Sequence, residues 1–98
     1  MKQHQATLHL SLKREYFDAI RDGSKLEEYR LCKPYWAKRL EGRTYDSIVL
    51  TWGYPSKDDS GRRLVRAWRG YVVKENFVHP HFGPKPVTVF VINVEQAA

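Results

Sequence analysis

The sequence is nearly free of cysteine, because Cys32 is the only thiol among its 98 residues. A single thiol cannot form an internal disulfide, and it cannot build a zinc site that needs several cysteines. The lack of a disulfide framework is typical of proteins that work in a reducing compartment. We therefore expect a cytoplasmic protein that holds neither a metal nor another cofactor.

Long apolar runs are missing as well. No segment approaches the stretch of about 18 apolar residues that a transmembrane helix requires. Residues 1–10, with the sequence MKQHQATLHL, also lack the apolar core of a secretory signal peptide. We expect a protein that is neither exported nor anchored in a membrane.

Several catalytic motifs are absent too. The sequence contains no G-x-x-x-x-G-K-[ST], G-x-G-x-x-G, H-E-x-x-H or G-x-S-x-G pattern. P-loop nucleotide hydrolysis, dinucleotide redox chemistry and the common protease and esterase mechanisms therefore have no support. His79 and His81 form an H-x-H pair, but a metal site needs a third ligand that nothing nearby in the sequence supplies. We interpret both histidines as loop residues.

Acidic residues are outnumbered by basic ones. Seventeen Lys and Arg face eleven Asp and Glu, which gives a net charge of +6 and a pI near 9.6. This balance favours polyanionic partners such as RNA or DNA, although a soluble protein can carry a basic surface without binding either. With 42% hydrophobic residues the chain has the composition of a globular protein, and its length indicates one domain over residues 1–98.

Hydrophobic spacing predicts a small α+β fold. Alternation of apolar and polar residues favours strands, and apolar residues three or four apart favour helices. Strands are predicted over 8–12, 26–31, 45–52, 62–73 and 87–94, and helices over 13–23 and 34–42. Residues 55–61 are expected to form a hairpin turn and residues 76–86 a surface loop. This order predicts a small mixed or antiparallel β-barrel of about five strands with two short helices.

A charged cluster follows the first predicted helix. Gly23 lets the chain turn sharply, so Lys25 is expected near the mouth of the next strand. Alternation along that strand places Glu28 and Arg30 on the same face. On an exposed face this pair is an ordinary surface ion pair, whereas inside a barrel it would serve a site. The charges of all three side chains favour the binding of anions and base edges over catalysis.

A second group of cations lies on the predicted hairpin. Alternation places Arg63 and Arg69 on one face and Arg66 on the other. Guanidinium groups bind phosphate, and aromatic side chains stack on unpaired bases. The alternative is a solvated edge strand whose charges prevent aggregation. Tyr54 is a further candidate for ligand binding, because it ends a predicted strand beside a glycine.

Residues 8–30 resemble the beginning of ASCH domains. They contain a predicted strand, a helix that ends in F-x-x-I-x-x-G-x-K, and then K-x-x-E-Y-R, which covers Lys25, Glu28 and Arg30. The similarity continues more loosely through residues 45–54 and the last predicted strand. It implies a PUA-like β-barrel with a cleft beside the first helix, where these three residues converge. It also implies binding or processing of RNA.

The same resemblance leaves an enzyme as the alternative. Some small bacterial ASCH proteins are amidohydrolases that act on N4-acetylcytidine through a lysine, a threonine three residues later and a downstream glutamate, and others cleave single-stranded RNA. Lys25 matches that lysine, whereas Glu28 occupies the threonine position and Glu75 does not align with the downstream glutamate. A hydrolase would use Lys25 and Glu28 as catalytic residues. A module that binds RNA or a nucleotide, as a monomer or an edge-strand dimer, would use Lys25, Glu28, Arg30, Tyr54, Arg63, Arg66 and Arg69.

Overall fold

A computed structural model describes residues 6–96 of the chain. Residues 1–5, which belong to the segment where no signal peptide is expected, and residues 97–98 lie outside the described residues. The described part contains six strands and two α-helices in the order β1 (Thr7–Leu12), α1 (Arg14–Asp22), β2 (Glu27–Leu31), α2 (Pro34–Leu40), β3 (Ser47–Trp52), β4 (Arg63–Ala67), β5 (Tyr71–Phe77) and β6 (Val87–Asn93). The predicted α+β class is confirmed.

The strands form two three-stranded sheets. In the first sheet β3 is central, and it pairs parallel with β1 and antiparallel with β4. In the second sheet β6 is central, and it pairs antiparallel with β2 and with β5. No strand ladder joins the two sheets within residues 6–96, so they do not close into the barrel that the sequence predicts. Side chains, rather than backbone ladders, bridge β1 and β2.

One hydrophobic core lies between the two sheets and α1. Its buried members are Leu8, Leu10, Leu12, Phe17, Ile20, Leu40, Ile48, Leu50, Phe90, Ile92 and Val94. β1 and β3 contribute alternate residues because only one face of each is buried. β6 is buried over four consecutive residues, 89–92, so the side chains on both of its faces are covered there.

Both predicted helices are confirmed, with slightly different ends. After α1, Gly23 adopts a left-handed φ of 89°, and its N–H donates to the carbonyl of Ile20. α2 begins at Pro34, as predicted, but ends at Leu40 because Glu41 already has an extended conformation. Neither helix, nor any other helical segment of the described chain, is long and apolar enough to cross a membrane.

The prediction of one continuous strand over residues 62–73 is wrong. This segment forms β4 and β5, which belong to different sheets. Between them Gly70 adopts a left-handed φ of 82°, which turns the chain out of the first sheet. Trp68 packs beside the break, with its ring centroid 5.2 Å from that of Tyr45. The chain therefore has six strands in its described part instead of the five that we predicted.

β5 also extends further along the chain than predicted. It reaches Phe77, although residues 76–86 are predicted to form a loop. A β-bulge between Lys74 and Phe77 lets the strand pass Asn76, whose φ of 55° is left-handed. The prolines and the glycine that follow obscure this pairing in the sequence. The loop after β5 contains the one-turn 3-10 helix Pro80–Phe82.

Gly70→Ala is expected to lower the free energy of unfolding by about 1 kcal/mol, because alanine is strained at a left-handed φ. An added Cβ would meet no atom within 4 Å, so the effect is conformational and not steric. Gly61→Ala is the matched control, since its φ is not left-handed and the nearest atom to its added Cβ is 3.7 Å away. Urea denaturation measures both variants. Equal losses of stability would contradict the role of Gly70 in the strand break.

Candidate functional site

A cleft of about 700 Å³ opens between β1 and β2. Its lining also includes the turn before β2, the beginnings of α1 and α2, the end of β3 with the loop after it, the start of β4 and the loop before β6. Most of the residues predicted to bind a ligand lie in this cleft, namely Lys25, Glu28, Arg30, Tyr54 and Arg63. Arg66 and Arg69 do not belong to its lining.

The turn after α1 carries Lys25 to the cleft. The backbone N–H of Lys25 donates to the carbonyl of Ala19 at 3.0 Å, and that of Ser24 donates to Asp22 Oδ1 at 2.8 Å. Hydrogen bonds from the side chain and backbone of Ser24 lower the pKa of the Asp22 carboxyl group, which keeps this acceptor charged. Lys25 is thereby fixed between α1 and β2, at the position that the Gly23 turn predicts.

Glu28 lies between two cations at the floor of the cleft. Its Oε1 is 3.4 Å from Lys25 Nζ, and its Oε2 is 2.7 Å from Arg30 Nη1. The side chain of Glu28 is only 7% exposed, and those of Lys25 and Arg30 are 15% and 16% exposed. The predicted convergence of the three side chains is therefore confirmed, and the alternative of a surface ion pair is wrong.

Arg30 bridges the two sheets. From β2, its Nη1 also donates to the carbonyl of Tyr29 at 2.8 Å, and its Nη2 donates to the carbonyl of Ser11 on β1 at 3.2 Å. The guanidinium carbon lies 5.2 Å from the ring centroid of Trp36 on α2. Most of its donors are thus occupied by acceptors of the protein. Arg30 orders the cleft and leaves few N–H groups for a ligand.

Aromatic rings surround the ammonium group of Lys25. Its Nζ lies 4.4 Å from the ring centroid of Tyr29 and 5.2 Å from that of Tyr16, which is cation–π geometry. His79 packs against Tyr29 with ring centroids 5.4 Å apart, and His81 packs against Tyr16 at 5.8 Å. We call Tyr16, Tyr29, His79 and His81 the aromatic wall of the cleft.

The histidines of the aromatic wall are site residues that the sequence reasoning missed. Both lie in a loop, as predicted, and this loop contributes to the lining of the cleft. The H-x-H spacing of His79 and His81 is a weak signal, and it points to metal binding. The described residues contain no group of three or more His, Cys, Asp or Glu side chains placed to hold a metal ion. The two histidines pack as rings instead.

Burial raises the pKa of both tyrosines in the aromatic wall. It is the largest cause at each site, and nearby carboxylates add to it, those of Glu15 and Glu28 at Tyr16 and those of Glu27 and Glu28 at Tyr29. Both phenols therefore keep their protons at neutral pH. The wall adds no negative charge beside Lys25.

The lining of the cleft has more cations than anions. Its Lys and Arg residues are Lys13, Lys25, Arg30, Lys33 and Arg63. Among the described lining residues Glu28 is the one carboxylate, and two of these cations already contact it. The excess positive charge favours a ligand that carries negative charge.

The arginines of the predicted hairpin do not form one continuous track. Arg63 lines the cleft, but Arg66 lies against α1, where its Nη2 donates to the carbonyl of Ile20 at 3.5 Å. Arg69 lines a separate, smaller hollow beside Glu27. The break between β4 and β5 is the reason, because the alternation that groups Arg63 with Arg69 requires one unbroken strand.

Comparisons with protein-family models, with curated proteins and with solved structures found no significant match to this chain. The geometry of the cleft is therefore the basis for a functional proposal. The resemblance of residues 8–30 to ASCH domains stays a prediction, because none of these comparisons tests it.

Proposed function

We propose that this chain is an ASCH-like, PUA-like module of the cytoplasm that binds single-stranded RNA or a nucleotide in the cleft. The observation that carries the proposal is the burial of Lys25, Glu28 and Arg30 together on the floor of the cleft. Burying charges is costly, and ionisable groups gathered in a cleft are typical of sites that a ligand uses. The K-x-x-E-Y-R pattern of residues 25–30 supports the same assignment.

A ligand with phosphate groups matches the charge of the lining. Glu28 holds the ammonium group of Lys25 in the cleft, where one or more of its three donors can face a ligand oxygen. Lys13 and Lys33 are exposed residues of the lining and can contact phosphates outside the floor. These lysines, rather than the occupied guanidinium group of Arg30, are the phosphate contacts of the proposal.

An unpaired base matches the shape of the cleft. Its volume of about 700 Å³ lies within the range of roughly 300–1,000 Å³ that is usual for small-molecule sites. Recognition of single-stranded RNA commonly uses aromatic side chains that stack on bases beside cations that bind the backbone. The cleft combines both kinds of side chain, since the aromatic wall lies next to its lysines.

The arrangement favours binding over hydrolysis. Lys25 Nζ lies 3.4 Å from Glu28 Oε1, so the lysine is engaged in an ion pair and is not placed as a general base. The hydroxyls of Ser11 and Thr51 both donate to the carbonyl of Gly53, so neither is paired with Lys25 as a nucleophile. Incubation with N4-acetylcytidine and with labelled RNA tests the enzyme. Turnover that Lys25→Ala abolishes would support a hydrolase instead.

Titration with a single-stranded RNA oligomer at low salt is expected to show saturable binding that weakens as salt rises. Lys33→Gln is expected to reduce the slope of log K against log salt by about 0.7, the value for one lost phosphate contact. Lys74→Gln is the matched control, because Lys74 is exposed on β5 and does not line the cleft. A wild-type protein that shows no saturable binding, or equal slopes in the two variants, would overturn the proposal.

A further inference from the structure

The backbone at the start of the loop after β3 is held by hydrogen bonds from neighbouring side chains. The carbonyl of Gly53 accepts hydrogen bonds from Ser11 Oγ at 3.0 Å and from Thr51 Oγ1 at 2.8 Å. The carbonyl of Trp52 accepts from Arg62 Nε at 3.1 Å and from Arg62 Nη2 at 2.8 Å. Side chains from both sides therefore fix the backbone where it leaves β3.

Arg63 fixes the following part of the same loop. Its Nη1 donates to the carbonyls of Ser56 at 2.6 Å and Asp59 at 3.3 Å, and its Nη2 donates to the carbonyl of Pro55 at 3.3 Å. A guanidinium group has five N–H donors, so this loop occupies most of them. The geometry differs from the phosphate contact that the sequence predicts for Arg63.

Tyr54 lies between Gly53 and Pro55, whose carbonyls both accept these hydrogen bonds, and its side chain points into solvent. It is 93% exposed although it lines the cleft. Such exposure leaves both faces of the ring open to solvent. An aromatic ring on a backbone that is already ordered is suited to stacking, because binding does not have to order the backbone again.

Tyr35 is the other strongly exposed tyrosine in the described lining of the cleft, at 58% exposure. The guanidinium carbon of Arg39 lies 3.6 Å from its ring centroid, so one face of Tyr35 is already covered. The rings of the aromatic wall pack against one another and against Lys25. Tyr54 is thus the tyrosine of the cleft with the most free surface.

We propose that Tyr54 is the side chain on which an unpaired base of the ligand stacks, and that Arg63 is a positioning residue that holds Tyr54 in place. The inference rests on the proposed function, because it names the group that contacts the base. Stacking on Tyr54 tolerates different sequences, since every base has a π-face. In this proposal the lysines of the cleft contact the phosphates of the ligand.

Two oligomers separate stacking from charge. A uridine oligomer and an abasic ribose-phosphate oligomer of the same length carry the same charge, but only the first has bases. Tyr54→Leu is expected to weaken binding of the uridine oligomer at least about fivefold and to leave binding of the abasic oligomer unchanged. Tyr54→Phe keeps the ring and is expected to bind both oligomers as the wild-type protein does.

Substitution of Arg63 tests its positioning role. Arg63→Lys keeps the positive charge but cannot donate to three carbonyls in the same geometry. It is expected to lose affinity for the uridine oligomer, and the double variant with Tyr54→Leu is expected to bind little worse than Tyr54→Leu alone. Full affinity in Arg63→Lys would make Arg63 a charge contact and overturn its positioning role.

The outcomes distinguish this inference from the proposed function. Equal losses for both oligomers in Tyr54→Leu, or no loss for either, would overturn the stacking role while the proposed function stands. A wild-type protein that binds neither oligomer would overturn the proposed function and the inference with it.

Discussion

Replacement of Glu28 by glutamine is expected to lower the free energy of unfolding by about 2 kcal/mol or more. The substitution keeps the shape of the side chain but removes the negative charge between Lys25 and Arg30. Two cations whose side chains are only 15% and 16% exposed then lack a counter-charge. The NH2 group of the new amide is a hydrogen-bond donor, and it would face an N–H donor of Lys25 or Arg30 with which it cannot form a hydrogen bond. Urea denaturation of the variant and the wild-type protein measures the loss.

Glu27→Gln is the matched control for this experiment. Glu27 precedes Glu28 on β2, but it is exposed on the opposite face of the strand, where it accepts a hydrogen bond from the Tyr29 hydroxyl at 3.2 Å. The same chemical change there is expected to alter stability by no more than about 0.5 kcal/mol. Similar losses in the two variants would show that Glu28 does not act as a buried counter-ion.

The part of the site that the sequence predicts depends on short-range geometry. The turn at Gly23 follows from its place after a helical pattern, and it positions Lys25. Strand alternation then places Glu28 and Arg30 on one face. Each of these relations joins residues within a few positions of one another, so local conformation is enough to determine them.

The remaining parts of the site depend on contacts between distant segments. The bond from Arg30 to the carbonyl of Ser11 joins strands of different sheets, and the aromatic wall joins α1 and β2 to the loop before β6. No periodicity in the sequence indicates such contacts. Arg63 illustrates the same limit, because its partners are backbone carbonyls, which every sequence has. Residue type alone therefore predicts that Arg63 binds phosphate, whereas in the structure its guanidinium group donates to backbone carbonyls of the loop after β3.

The missed strand break has a comparable origin. Residues 62–73 are rich in β-branched and aromatic side chains, and that composition favours one long strand. Gly70 overrides the composition, because its left-handed φ moves the chain from the first sheet to the second. A glycine inside a strand pattern is the local signal for such a break. Arg69 lies beyond the end of β4 at Ala67, so it is separated from Arg63.

Lys25→Met is expected to remove most ligand binding without loss of stability. Glu28 keeps Arg30 as a counter-ion at 2.7 Å, so the substitution leaves no buried charge uncompensated. A thioether also packs well against aromatic rings, here those of Tyr16 and Tyr29. We expect the free energy of unfolding to change by no more than about 0.5 kcal/mol. Binding of single-stranded RNA is expected to weaken about 10- to 100-fold, because a charge-assisted hydrogen bond is lost.

Measuring stability and binding on the same variant separates the two reasons for keeping a buried lysine. Removal of a charge that stabilises the fold would lower the free energy of unfolding. Removal of a charge that contacts only the ligand would lower the affinity for RNA and leave stability unchanged. Lys85→Met is the control, since Lys85 is exposed outside the cleft, and we expect it to retain both properties. If Lys25→Met binds RNA as tightly as the wild-type protein, the ligand does not use this ammonium group and the proposed function is wrong. If Lys25→Met unfolds, Lys25 is a structural residue and its burial no longer argues for a ligand.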